Sequence, residues 1–481
     1  MTEKSPATDD ATPHVSDRQP NRWAQVWPVI ACGAGLFSDG YLNSVIGSVS
    51  TMLSVIYPKE YKHSSAISNV SSITFVGTVL GQLIFGWTSD HWSRKWTLVI
   101  STVILILFSI LTTASYGAGG SVHGLLAALT AYRFFLGIGI GGEYPAGSVA
   151  CAESTGSLRS GTRNRWFCLF TNVQIDLGFV VGAIVPMIVV LATTQSHLRA
   201  AWRICLGLGV IPPTVLLLMR ARLQEPESYR QNTMAKTKTP WGLVIKFYWK
   251  RLMIVSAIWF IYDFSAYSFG LLSSQLLTNL LGDEKALWKS FGWNTLLNLF
   301  YMPGCLIGAW TSDWFGPKHA LGYIVLVQAI IGFIMAGTYS YLAQPHYVGA
   351  FVVVYGIFIA IGEAGPGNNI GLIASKTCAT AVRGQYYGIA AATGKIGAFV
   401  GSKVLILMYN DYYNSGEKVK AGQYPFLISA SLCVVSAALA LGLLPHIGQD
   451  TIVEEDKGFR DYLSRNGYDI SKMGLEQEKD A

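Results

Sequence analysis

Apolar stretches about as long as a bilayer is thick recur from one end of this chain to the other, and they leave few folds open. A helix needs roughly 20 apolar residues to cross a hydrocarbon layer about 30 Å thick. Segments of that kind occur near 26–50, 67–87, 97–116, 125–147, 167–191, 203–219, 252–280, 290–309, 320–341, 348–372, 385–408 and 424–444. None shows the period-two alternation of a transmembrane strand, which argues against a β-barrel. Only 13% of the 481 residues are charged, against about 25% in a soluble chain. The expectation is an all-α membrane protein with twelve transmembrane helices.

Outside these segments the chain is polar. Residues 1–22, MTEKSPATDDATPHVSDRQPNR, lack the apolar core of a signal peptide. They read as a disordered cytoplasmic N-terminus, and the charged stretch 447–481 reads as a flexible cytoplasmic tail. Arg94, Lys95, Arg159, Arg163, Arg165, the basic residues from Arg220 to Arg251, Lys318, Lys376 and Arg383 all flank loops on one side. The opposite loops carry fewer bases, balanced by acids as in GDEK at 282–285. The positive-inside rule then places both termini in the cytosol. This bias accounts for the +7 net charge without any nucleic-acid partner. The seven cysteines lie in or beside spans, without disulfide or metal-site spacing, and read as packing residues.

The sequence also repeats itself. WTSDHWSRKW begins at Trp87 and WTSDWFGPKH at Trp310, matching Asp90 to Asp313 at an offset of 223. Three further pairs follow in the same order. Asp39 matches Asp263 at 224, Pro145 matches Pro366 at 221, and Gln174 matches Lys395 at 221. Ordered landmarks at nearly one offset indicate duplication. The predicted organisation is a six-helix bundle at 23–220, a cytoplasmic loop at 221–250, and a second six-helix bundle at 251–446. Parallel six-helix repeats place a transport site between the halves near the bilayer midplane.

Ionisable residues inside spans cost about 2.5–3.5 kcal/mol each if they face lipid, so they face a cavity or a partner. Asp39, Arg133, Glu143, Asp176, Asp263, Glu363, Lys395 and Lys403 are of this kind. Trp259, Asp263 and Tyr267 are spaced by four and share one helical face. Gly137, Gly139 and Gly142 satisfy G-x-G-x-x-G but sit within an apolar helix, where close packing is expected rather than a nucleotide. Glu143 and Tyr144 follow at a glycine- and proline-softened point suited to facing a cavity. Lys395, in TGKIGAFVG, either neutralises Asp39 or Asp263 or holds an anion. With Gln174, tyrosine and tryptophan donors around it, a lysine suits a phosphate.

GWTSDHWSRK resembles the loop motif of the major facilitator superfamily, with His91 and Ser93 in place of the usual base and glycine. In that family the loop helps close the cytoplasmic side, which implies gating or structural roles for Asp90, Arg94, Arg133 and Asp313. GGEYPAG, the W-x3-D-x3-Y element of span seven, Gln174 and GKIGAF resemble its phosphate:proton symporters. ACGAGLFSDGYLNSVIGSVS and NVSSITFVGTVLGQLIFGWTSD resemble more specifically the fungal glycerophosphoinositol permease branch. The resemblance implies a substrate site of Tyr144, Gln174, Trp259, Asp263, Tyr267 and Lys395. It implies a proton path through Asp39, Glu143 and Asp263. Phosphate carriers tend to carry acids where this chain has Leu42, Asp where it has Glu143, and GPNTT where it reads GPGNN at 365–369.

The expected function is proton-coupled import of a small anionic glycerophosphodiester, such as glycerophosphoinositol or glycerophosphocholine, across the plasma membrane. Protons and membrane lipid are the other expected partners, and a proton gradient replaces any cofactor. Alternatives are an inorganic phosphate:proton symporter and a nutrient receptor that binds without transporting. A sugar porter fits less well, although EPES at 225–228 resembles a motif of that family. No nucleophile–base or metal constellation supports an enzyme.

Overall fold

The computed structural model describes residues 22–475 apart from 63, 194 and 282–286. Nearly all of the segment expected to be disordered, GDEK at 282–285 and the tail end 476–481 lie outside the described residues. Among those described, the regular elements are helical. Eleven helices are long and apolar enough to cross a bilayer: Gln25–Ile56, Ala66–His91, Arg94–Thr113, Val122–Ser157, Arg163–Thr193, Leu198–Arg220, Trp241–Ser273, Pro317–Leu342, Val348–Lys376, Thr380–Asn414 and Lys418–Leu443. The expected span at 290–309 consists of two shorter helices, Leu287–Leu299 and Tyr301–Trp314, meeting at Phe300. Pro303 has no N–H for the Leu299 carbonyl, so the ladder cannot run through. The Asn298 amide meanwhile donates to the Asn294 carbonyl at 2.7 Å.

Numbered in chain order, with this broken pair as the eighth, the spans pack in a repeating pattern. Span one lies along five, two along four, and three beside six. In the second half seven lies along eleven, eight beside ten, and nine along twelve. Adding six to each first-half pair gives a second-half pair, as duplication requires. The halves meet along two seams, span two on eleven and span five on eight. These seams exchange under the same shift. Spans four and ten each contain a π-helical turn, Glu143–Ser148 and Glu363–Gly367, around the matched prolines. Such bulges concentrate at functional sites.

Buried polar residues share the interior with an apolar core, and apolar side chains also cover the outside. Leu83, Ile84, Leu107, Ile330 and Ile334 are exposed on the outer surface, where lipid would cover them. The G-x-G-x-x-G glycines are helical packing positions, since a side chain at Gly137 would strike span two at Thr74 and one at Gly139 would strike span three at Leu105. All seven cysteines are buried.

Two expectations about the polar segments need correction. The tail is folded: Thr451–Arg465 forms a helix whose Ile452, Asp456, Phe459 and Leu463 are buried on one face. Its four-three-four spacing makes a helical stripe, which docks on Tyr248, Cys378 and Tyr386. The central loop is also shorter than 221–250. It contains a helix at Glu227–Asn232, and the helix of span seven already begins at Trp241. The face carrying the tail helix is called the tail face below.

Candidate functional site

Between the halves lies a small cavity of about 50 Å³, lined among others by Tyr144, Trp259, Asp263 and Tyr267. The Trp259–Asp263–Tyr267 stripe thus faces it, as the spacing of four predicts. Lys395 and Asp39 sit directly behind that wall. The Lys395 ammonium lies 3.5 Å from Asp39 Oδ2 and 3.7 Å from Asp263 Oδ2. It donates to the Tyr267 hydroxyl and stands over the rings of Tyr267 and Tyr144, 3.8 and 4.9 Å from their centroids. The hydroxyls of Tyr144 and Tyr267 donate to Asp39 Oδ2, the latter at 3.1 Å, and the Asn43 amide donates to Oδ1 at 2.6 Å. Asp263 Oδ2 accepts no hydrogen bond. One cation, two acids and two phenols therefore form a single cluster drawn from spans one, four, seven and eleven.

The same cavity has an acidic end. Asp176 of span five and Glu363 of span ten both line it. The Asn172 amide donates to Glu363 at 3.0 Å and to Asp176 at 3.2 Å, and the Tyr262 hydroxyl donates to Glu363 at 2.6 Å. Phe179 stacks on Tyr301 at 5.3 Å and packs on Tyr267 at 6.1 Å. This aromatic layer separates the cavity from a smaller one lined by Asn43, Ser71 and Asn294.

Four expected residues lie elsewhere. Gln174 does not line the cavity; its amide donates to the Leu169 carbonyl at 3.1 Å, and Asn172 takes the inward position. Glu143 is turned away from the cavity, held by both Arg220 terminal nitrogens at 2.6 Å. Arg220 is fully buried and also bonds the Ala31 carbonyl at 3.0 Å. It sits at the end of span six and closes the charge of a helix bulge 77 positions away. Arg133 donates to the Val70 carbonyl at 2.7 Å, near the start of span two and away from Asp90. Lys403 donates to Ser68 across the seam of spans eleven and two.

On the tail face the two WTSD acids perform the same act. Asp90 accepts from the backbone N–H groups of Gly384 at 2.8 Å and Gln385 at 2.7 Å, at the start of span eleven. Asp313 accepts from the Arg165 N–H at 3.2 Å, at the start of span five. Each acid thus caps a helix of the opposite half, where free N–H groups and the helix dipole favour a negative charge. Arg94 binds Asp90 at 2.6 Å and Glu153 at 3.1 Å, and Arg383 of the second half binds Glu153 at 3.0 Å.

The tail joins this network. Asp456 accepts from the Thr380 N–H at 2.6 Å and its hydroxyl at 2.7 Å. Glu455 pairs with Arg251 at 2.5 Å. Burial pushes both carboxyls above their usual range, while Arg383 draws Asp456 back and Arg251 draws Glu455 back. Sequence reading missed these tail contacts and Arg220. The tail stripe at Ile452, Asp456, Phe459 and Leu463 was the available signal for the former.

A family model described as Major Facilitator Superfamily matches residues 40–402. The chain is 49% identical over 453 residues to the major glycerophosphoinositol permease GIT3 of Candida albicans, covering 93% of this chain and 84% of that protein. It is 48% identical over 453 residues to the glycerophosphocholine permease GIT4 of the same organism, with the same coverage. Identity to the glycerophosphoinositol transporter 1 of Saccharomyces cerevisiae is 31% over 458 residues, covering 95% of this chain and 86% of that one. Among solved structures, the proton:xylose symporter XylE from E. coli matches with a TM-score of 0.72 at 15% identity, covering 91% of this chain and 98% of that chain.

Proposed function

The chain belongs to the major facilitator superfamily, and we propose that it imports glycerophosphodiesters with protons across the plasma membrane, both termini cytoplasmic. The observation that carries this reading is the Lys395 ammonium, held between Asp39 and Asp263 behind two cavity-lining tyrosines. Similarity to permeases named for glycerophosphoinositol and glycerophosphocholine supports the substrate class.

The cluster couples the two cargoes by competition. Two acids already share the one ammonium, so a phosphodiester reaching Lys395 meets their negative charge. Like unit charges 4 Å apart repel by about 4 kcal/mol at an effective dielectric constant of 20. A proton taken up by Asp39 or Asp263 removes one of the two opposing charges and lets Lys395 hold the phosphate as a point charge, with Tyr144, Tyr267 and Trp259 as donors. Rocking of the halves turns the cavity inward. Loss of the proton restores the Lys395 ion pairs and expels the anion. Because these acids interact, the proton belongs to the cluster rather than to one residue. Each net positive charge entering gains about 2.3 kcal/mol per 100 mV, inside negative.

On the tail face, Asp90, Arg94 and Asp313 act as the gate that holds that side shut. The acidic end of the cavity adds polar groups beyond those at Lys395, which favours a diester with a polar head group over inorganic phosphate. The test is uptake of labelled glycerophosphoinositol, glycerophosphocholine and phosphate by transporter-deficient cells expressing the full chain, with and without a protonophore. Expected is protonophore-sensitive diester uptake that excess phosphate barely inhibits. Lys395→Gln abolishes it, and Asp263→Asn abolishes accumulation against a gradient. Phosphate uptake alone would make the protein a phosphate symporter, and normal accumulation in Asp263→Asn would remove Asp263 from the mechanism.

A further inference from the structure

The phosphate cluster leaves the acidic end of the cavity without a role. Asp176 and Glu363 are 1% and 4% exposed. The Asn172 amide, the Tyr262 phenol and the Cys305 thiol meet them, and among the described residues no Lys, Arg or His forms an ion pair with either. A second observation points the same way from a different residue. Asn368, 1% exposed, lines the cavity with an Oδ1 that accepts no hydrogen bond. Its amide nitrogen is committed to the carbonyls of Cys305 at 2.7 Å and Glu363 at 3.0 Å, which fixes the oxygen as the free atom. Two acidic side chains and a carbonyl oxygen thus stand without a cationic partner among the described residues, beside the rings of Tyr262, Tyr301 and Phe179.

We propose that this end is the head-group subsite, and that it selects a diester whose head group carries a quaternary ammonium. A fixed cation compensates both carboxylates without donating a hydrogen bond, and a ring face near it adds about 0.5–2 kcal/mol. A neutral polyol supplies donors but no positive charge to pair with either acid. The two ends are neighbours. Asp263 faces Lys395 and Tyr262 bonds Glu363, and Asp263, Tyr262, Asp176 and Glu363 line the same cavity. A zwitterion bound along that cavity meets both ends. This inference rests on the diester reading above and specifies which diester the site prefers.

The test is uptake of labelled glycerophosphocholine and glycerophosphoinositol by cells expressing wild type, Glu363→Gln or Asp176→Asn, normalised to surface protein. Wild type is expected to prefer glycerophosphocholine at least tenfold. Each variant should lose that preference, its glycerophosphocholine uptake falling at least tenfold more than its glycerophosphoinositol uptake at equal surface protein. Equal loss of both substrates in a variant that reaches the surface would overturn the assignment and make the pair a proton or structural site. A wild-type preference for glycerophosphoinositol would overturn it as well. Uptake of neither diester by wild type would sink the underlying function instead, and the subsite with it. Should the variants fail to reach the surface, competition on wild type decides. Phosphocholine must inhibit glycerophosphocholine uptake at least tenfold more strongly than glycerol 3-phosphate, and equal inhibition overturns the proposal.

Discussion

Replacing Asp90 with alanine should open the tail face, and the chain carries its own reporter. Asp90 accepts two backbone N–H bonds from the start of span eleven, at 2.8 and 2.7 Å. Both cross between the halves, so both vanish when that face opens, whereas the Asp90–Arg94 pair stays within one half. A hydrogen bond to a charged group contributes about 1.5–3 kcal/mol. Taking the lower figure twice, the closed state loses about 3 kcal/mol, and the open population rises on the order of 100-fold at 1.4 kcal/mol per factor of ten. Cys168 is buried on the other seam between the halves, its Sγ 3.8 Å from Ser312 Oγ and 3.5 Å from the Asn368 carbonyl of the other half. In a chain retaining Cys168 as its single cysteine, maleimide labelling under slow-reagent conditions follows the open population. Asp90→Ala should therefore label on the order of 100-fold faster, with unchanged helix content and elution volume. A rate within twofold of the parent would refute the claim that these helix-capping bonds hold the face shut.

Two further outcomes follow from contacts away from the cavity. Glu143→Gln leaves Arg220 buried without its counter-charge, a loss of about 3–5 kcal/mol for a broken buried pair. Thermal unfolding in detergent should begin several degrees lower, and Glu143→Leu with Arg220→Leu should recover most of the loss. An altered pH profile of uptake at unchanged stability would instead return Glu143 to the proton path. Phe459→Ala empties the centre of the docked tail face, and truncating a buried phenylalanine costs about 3–5 kcal/mol. Limited proteolysis should then cut the tail well before the membrane core, whereas an unchanged cleavage order would mean that Phe459 does not hold the tail in place.

Hydropathy made the spans legible because lipid imposes one rule on every residue it touches, and the duplicated WTSD made the halves legible because both copies meet the same backbone need. The azimuth of single side chains was harder to read. Asn172 and Gln174 are two positions apart on one helix, about 200° around it, so a small error in register exchanges the inward residue for an outward one. Glu143 looked like a cavity residue because nothing local reveals a partner 77 positions away, and Arg220 looked like one more loop cation. The tail stripe was obscured by the acids between its buried positions. The tail's place in the fold follows from contacts at its start. In the first copy of the loop, Arg94 lies four residues after Asp90 and binds it. In the second copy that position is Pro317, after Gly316 at φ 76°, and Lys318 turns instead to the Leu444 carbonyl at 2.6 Å. Asp313 takes its second partner from beyond span twelve, the Gln449 amide at 2.9 Å. The same connection presents the carbonyls of Gly448 and Gln449 to Lys376, at 2.9 and 3.1 Å. The repeat thus kept the acid and lost the base beside it; Arg165 of the first half, 3.8 Å from Asp313 Oδ2, and the Gln449 amide from outside the duplicated unit stand in its place.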